Sequence, residues 1–334
     1  MQKTLIIAEI GVNHNGDINN AKKLIFEAAK CGADIVKFQT FKTEELATSS
    51  AKKTNYQIKN TKTESFSQTD MLKGLELNYE DHIVLLEECK RHNVEFLSTA
   101  FDIESLKMLV NFGIKRIKIP SGEITNLPYL KAISNFNLPI ILSTGMADLI
   151  EVNQALNVLS NKSFNKSNIT VLHCTSEYPA PLKNVNLRAM NTIKNNLKVN
   201  VGYSDHTLGT EVALAAVSLG AKIIEKHITL DNNQYGPDHK ASLEPKEFAQ
   251  MVKGIRVVEE SLGSDIKKPS KVEIENSLLI RKSIVASKKI KIGDTFSIEN
   301  LTCKRPYNGI SPMNWDRLIG KKSKRDYEKD EPIK

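Results

Sequence analysis

The chain is poor in cysteine and poorer still in tryptophan, with four Cys and one Trp in 334 residues. Cys31, Cys89, Cys174 and Cys303 are far apart and form no C-x-x-C pair. That excludes a disulfide frame or a thiolate zinc site and fits free thiols in a reducing cytoplasm. Long apolar runs are also missing. None approaches the ~20 residues needed to cross a bilayer, so no membrane partner is expected. The first apolar run, Leu5 to Ala8, ends in Glu9 and reads as a buried strand rather than a secretory signal. No G-x-G-x-x-G follows it, which counts against a dinucleotide fold. No zinc-finger, helix-turn-helix or aromatic RNA-binding signature occurs, so no nucleic-acid partner is expected.

What is present is a globular composition, 40% hydrophobic and 26% charged, which excludes a wholly disordered chain. The net charge of +8 is uneven: residues 281–334 hold 14 Lys and Arg against 7 Asp and Glu, the rest 33 against 32. Short β-rich runs alternate with helical periodicity. The strands are expected at 4–9, 34–39, 95–99, 115–120, 139–143, 169–174, 200–204 and 222–227. Helices are expected at 18–30, 80–92, 104–112, 126–136, 149–159, 211–219 and 245–262. Eight strands alternating with these helices fit a parallel sheet closed into a (β/α)8 barrel, an α/β TIM barrel. Two stretches break the rhythm. Residues 40–79 form a long polar excursion, and residues 228–244 form a second around Gly236-Pro237-Asp238. The expected domains are a barrel over 1–265, a linker over 266–280 and a small β-rich module over 281–334.

Barrel active sites lie where the strands end. Here those ends carry Glu9, Lys37 and Gln39, Thr99, Lys118 with Ser121-Gly122-Glu123, Ser143-Thr144-Gly145, His173 and Thr175, Ser204-Asp205-His206, and Glu225 with His227. A lone Ser or Thr there is ordinarily a helix cap. A buried Lys or Glu is costly unless paired or used. Polar residues at one end of all eight strands exceed what capping explains. Lys37 and Lys118, with two small-residue turns entering helices, point to a phosphorylated or carboxylated ligand. His206 and His227 end neighbouring strands about 4.8 Å apart. They are either hydrogen-bonded core histidines or two ligands of Mn2+, Fe2+ or Zn2+ in an open site.

The motifs Ile7-Ala8-Glu9-Ile10-Gly11-Val12-Asn13-His14-Asn15-Gly16, Val36-Lys37-Phe38-Gln39-Thr40, Lys118-Ile119-Pro120-Ser121-Gly122-Glu123 and Gly202-Tyr203-Ser204-Asp205-His206-Thr207 occur in this order, with Glu225-Lys226-His227 after them. Together they closely resemble the N-acetylneuraminate (sialic acid) synthase family. The tail, with Arg281-Lys282-Ser283-Ile284-Val285-Ala286 and Lys304-Arg305-Pro306, resembles that family's antifreeze-like SAF domain. The resemblance implies a TIM barrel plus SAF domain in a domain-swapped homodimer. It implies condensation of phosphoenolpyruvate with N-acetylmannosamine, giving N-acetylneuraminate and phosphate.

By motif, His206 and His227 would hold a divalent metal, usually Mn2+, with Mg2+ or Co2+ as substitutes. Lys37, Thr99, Lys118, Ser121, Ser143, Ser176 and Ser204 would hold phosphoenolpyruvate. Gln39, Tyr178 and Asp238 would face the sugar, and Arg305 would reach its N-acyl group from the partner subunit. Glu123, Glu9 and Glu225 would serve the acid–base chemistry. Synthases making legionaminic or pseudaminic acid share these motifs and differ in the N-acyl and deoxy positions accepted, so a diacetamido sugar is the alternative substrate. A Schiff-base aldolase on Lys118 or Lys226, or a non-catalytic sugar-binding protein, are more remote readings.

Overall fold

The computed structural model describes residues 3–61, 67–160 and 165–334; part of the first excursion, residues 62–66, lies outside them. Eight parallel strands close into a barrel in sequential order. They are β1 (Leu5–Gly11), β2 (Ile35–Thr40), β3 (Glu95–Ala100), β4 (Ile117–Ile119), β5 (Ile140–Ser143), β6 (Ile169–Cys174), β7 (Asn200–Asp205) and β8 (Ile223–His227). The barrel closes because β1 pairs both β2, with Ile7 opposite Ile35, and β8, with Ile7 opposite Glu225.

Strand periodicity builds the site floor. Side chains alternate between lumen and outer face. Ile7, Ile35, Leu97, Ile141, Leu172 and Ile223 form one buried cluster inside the barrel. Two residues further along the same strands stand Glu9, Lys37, Thr99, Ser143, Cys174 and Glu225. An aliphatic plug thus closes the lumen, and a polar layer sits above it at the carboxyl ends. The outward residues Ile6, Ala8, Val36 and Phe38 join the separate core shared with the helices.

Helices follow every strand. Ile18–Lys30 and Leu149–Leu159 have the expected bounds, and each starts on an aspartate whose side chain accepts from the first turn. The helix Ala189–Leu197 lies outside the expected helical ranges. Only Met190 and Ile193 are buried on it, so its periodic signal is weak. The first excursion is also partly helical, with Thr43–Leu46, Asn55–Thr61 and Gln68–Lys73 ahead of Tyr79–Arg91.

The chain divides into two units, 1–263 and 264–334. In the second, β9 (Ser283–Ala286) pairs antiparallel with β10 (Leu301–Lys304) over a small core of Ile284, Ile290, Phe296, Leu301, Tyr327 and Ile333. The expected linker is not irregular throughout: residues Lys271–Ile280 form a helix, started by a capping box between Ser270 and Glu273.

Candidate active site

A cavity of about 380 Å³ opens at the carboxyl ends of the strands. Its floor is a buried four-charge cluster. Lys37 Nζ lies 2.5 Å from Glu9 and 3.7 Å from Glu225, and Lys118 Nζ lies 3.5 Å from Glu225. All four residues are 5% exposed or less. Ser204 Oγ donates to Glu225 across the β7–β8 rung at 2.8 Å, and Lys37 donates to Thr99 Oγ1.

Position decides how each group ionises. Burial pushes the Glu9 carboxyl up to about 7, although Lys37 pulls it down. Burial also opposes charge on Glu225, but Lys118 and Lys37 overcome it and hold that carboxyl at about 2. Burial lowers both lysines. Glu225 and Glu9 raise Lys37 above its ordinary value, whereas Lys118, farther from carboxylate and repelled by Lys37, stays below its own. The floor therefore offers two carboxylates of different character within one cluster.

Beside it, His206 and His227 lie with ring centroids 5.5 Å apart. Burial holds both rings neutral. His206 donates Nδ1–H to Thr175 O at 2.7 Å, which leaves its Nε2 toward the lumen side, and His227 Nδ1 is buried without a partner. Tyr178 lies over His206 at a 30° tilt with centroids 4.1 Å apart, meets His227 edge-on at 5.7 Å and stacks on Tyr56 at 5.0 Å.

The β4–β6 side forms a cradle. Ser121 Oγ accepts from Gly145 N at 2.9 Å and lies 3.2 Å from Cys174 Sγ. A Cβ on Gly145 would stand 2.2 Å from Ser176 Oγ, 3.0 Å from Ser121 Oγ and 3.1 Å from Cys174 Sγ, so only glycine lets these three side chains converge.

Of the residues expected at the site, Glu9, Lys37, Gln39, Thr99, Lys118, Ser121, Ser143, Ser176, Tyr178, Ser204, His206, Glu225, His227 and Asp238 all line this cavity. Glu123 is not among them; its carboxylate accepts from Asn126 Nδ2 at 2.6 Å. Arg305 belongs to the second unit and is exposed there. Lys226, a Schiff-base candidate, points to the outer face and pairs with Asp205 at 2.8 Å, both fully buried. Sequence reasoning passed over Cys174 and the apolar liners Val12, Met71, Leu72, Leu75 and Phe101. Cys174 was legible, standing two residues beyond the plug residue Leu172.

Both excursions reach the cavity. The first contributes Tyr56 and Gln57, the second Pro237 and Asp238, and Asn60 Nδ2 joins them by donating to Pro237 O at 2.7 Å.

The NeuB family model matches residues 24–267 and the SAF domain model residues 281–334. An N,N'-diacetyllegionaminic acid synthase of Campylobacter jejuni is 54% identical over 334 residues, 100% of both chains. One of Legionella pneumophila is 47% identical over 317 residues, covering 94% of this chain and 89% of the relative. The solved N-acetylneuraminic acid synthetase of Leptospira borgpetersenii is 35% identical with a TM-score of 0.73, over 82% of this chain and 90% of that one. A polar layer above an aliphatic plug, in a barrel that this family's model matches from residue 24 onward, leads to one conclusion: the chain belongs to the NeuB family and is a nonulosonate synthase.

Proposed function

We propose that the protein is an N,N'-diacetyllegionaminic acid synthase, condensing phosphoenolpyruvate with a diacetamido sugar and releasing phosphate. The observation that carries the choice of sugar is the 54% identity to the Campylobacter jejuni enzyme over the full length, against 35% to the N-acetylneuraminic acid synthetase. This reading replaces N-acetylmannosamine as the expected acceptor.

The floor cluster suits the reaction. Lys37 and Lys118 hold the carboxylate and phosphate of phosphoenolpyruvate, with Ser121, Ser143, Ser176 and Ser204 as further donors. Holding C3 of the enol against the aldehyde carbon turns an encounter between two solutes into an oriented step. C3 forms the new carbon–carbon bond, water adds at C2, and phosphate leaves by C–O cleavage. Glu9, with its carboxyl near 7, can take or give a proton at neutral pH, and Glu225 stays ionised and keeps the lysines in place. Tyr178, Gln39 and Asp238 orient the sugar.

The residues fit a divalent cation as an open site. Two neutral imidazoles, one with an orphaned buried nitrogen and one fixed through its other nitrogen on a carbonyl, are the usual donors. Among the described residues no group of three or more His, Cys, Asp or Glu is placed to hold a metal, so water and substrate would complete the shell. When bound, such an ion, Mn2+ foremost, supplies Lewis-acid polarisation of the sugar aldehyde. A domain-swapped homodimer, with Arg305 reaching the N-acyl group in the partner's cavity, is part of the same proposal.

The test is a panel. Purified protein with Mn2+, phosphoenolpyruvate and each candidate sugar is assayed for phosphate release, and products are identified by mass spectrometry. The expected substrate is the diacetamido sugar. Preferential turnover of N-acetylmannosamine would overturn the choice of sugar and leave the family standing.

A further inference from the structure

The cavity wall is divided by chemistry as it runs around the barrel. Over β4–β6 lies the cradle of Ser121, Ser143 and Ser176, and over β7–β8 lie the two imidazoles. The arc over β1–β3 differs. There, beside the polar Gln39, Thr54, Gln57 and Gln68, the cavity has an apolar patch of Val12 after β1, Phe101 after β3, and Met71, Leu72 and Leu75 from the excursion after β2. Val12, Leu72 and Leu75 are 4–8% exposed and belong with Phe41 to a cluster separate from the barrel core. Met71 and Phe101 pack against that cluster. The excursion therefore carries a small hydrophobic core of its own and presents one side of it to the site.

In a closed eight-strand barrel the β1–β3 arc faces β5–β7 across the lumen. An acceptor whose aldehyde meets phosphoenolpyruvate near the lysines and imidazoles has this patch, on the side of the cavity away from the cradle, open to its remaining carbons. An apolar wall does not hydrogen-bond hydroxyls. It gains by covering methyl groups. We infer that Val12, Met71, Leu72, Leu75 and Phe101 are the specificity-determining wall for the methyl-bearing groups that the acceptor carries where N-acetylmannosamine has hydroxyls. This rests on the proposed diacetamido substrate for its biological meaning. Its physical content, a preference for methyl over hydroxyl remote from the aldehyde, can be measured separately.

Two variants test it: Met71→Gln, which keeps length and adds polarity at a partly buried position, and Leu75→Asn, a stronger change. The readout is kcat/KM on matched sugars: N-acetylmannosamine against its 6-deoxy counterpart, and against the diacetamido deoxy sugar. The wild-type ratios judge the proposed substrate, and the change in ratio on substitution judges the wall. Removing or adding one such contact is worth roughly 10- to 100-fold in discrimination. The expected result is a fall of about tenfold or more in preference for the methyl-bearing sugar. It should be carried by the sugar KM, with the phosphoenolpyruvate KM unchanged. Ratios within twofold of wild type in both folded variants would overturn the inference. So would a loss that strikes all sugars and phosphoenolpyruvate alike, because that marks a structural role. A wild type preferring N-acetylmannosamine, with the ratios still shifting in the variants, would keep the wall and reject the diacetamido substrate.

Discussion

Asp238 places a carboxyl in the cavity wall at 6% exposure, and burial pushes it up to about 7 with only Lys37 pulling it down. Its ordinary value is 3.8, so between about pH 4 and 7 the folded chain binds a proton that the unfolded chain has lost. This group's contribution to stability therefore falls as pH rises through that window and is flat above it. Glu9, raised from 4.5 to about 7, acts in the same sense. His14 and His239, both lowered to about 4 by burial, act in the opposite sense below pH 6.5. The wild-type curve mixes these slopes, and a variant isolates one of them. Asp238→Asn is expected to raise stability at pH 8 relative to pH 5 by on the order of 2–4 kcal/mol compared with wild type. Urea denaturation at the two pH values measures it. An unchanged difference would mean that Asp238 is already ionised in the folded protein.

At the scale of elements, the imidazole pair depends on the last rung between β7 and β8. Asp205 is the register partner of Lys226, one residue before His206 and His227. Lys226 Nζ donates to Asp205 Oδ2 and to Thr207 O, while Asp205 Oδ1 accepts from Thr207 N and Oγ1. One ammonium thus fixes the residues on both sides of His206 from the strand that carries His227. If His206 and His227 hold the proposed cation, Lys226→Met is expected to lower kcat roughly 10- to 100-fold, the usual cost of losing support behind a metal ligand. The phosphoenolpyruvate KM should change less than kcat, since Lys37 and Lys118 are on β2 and β4 and only Ser204 and Glu225 share strands with this rung. Activity per folded molecule equal to wild type would make the rung a stability feature only.

The same strands explain what could be read in advance. Alternation puts plug and polar layer two residues apart, so Glu9, Lys37, Thr99, Ser143 and Glu225 were legible from pattern. That Glu123 lies off the cavity lining was not legible, because it stands in a 3-10 turn, where period-two logic stops. The apolar wall was hidden because Met71, Leu72 and Leu75 lie in an excursion with no strand register. The helix Lys271–Ile280 was hidden because its capping box is a local signal within a segment expected to be irregular.

For the whole molecule, that helix poses an energetic problem. Within its own unit it buries no side chain. Val272, Ile274, Leu278, Leu279 and Ile280 are each 52–69% exposed. Isolated helices of fewer than about 12 residues are marginal in water and ordinarily gain stability from packing an apolar face. A second copy of the chain, as in the proposed domain-swapped dimer, would supply that packing. Replacing Leu279 and Ile280 together with lysine places two charges on the seam that this proposal implies. At rim positions such charges slow association, and when buried they cost several kcal/mol. Sedimentation velocity at micromolar concentration is expected to find wild type dimeric and the double variant at least tenfold weaker in association. The barrel makes its own polar floor, so the variant should still bind phosphoenolpyruvate. It should lose sugar affinity, because Arg305 would no longer sit in a partner's cavity. Arg305→Ala in an intact dimer should reproduce only the second effect. If the double variant dimerises as wild type does, this helix is not the seam. If it dissociates with an unchanged sugar KM, Arg305 serves no partner's site.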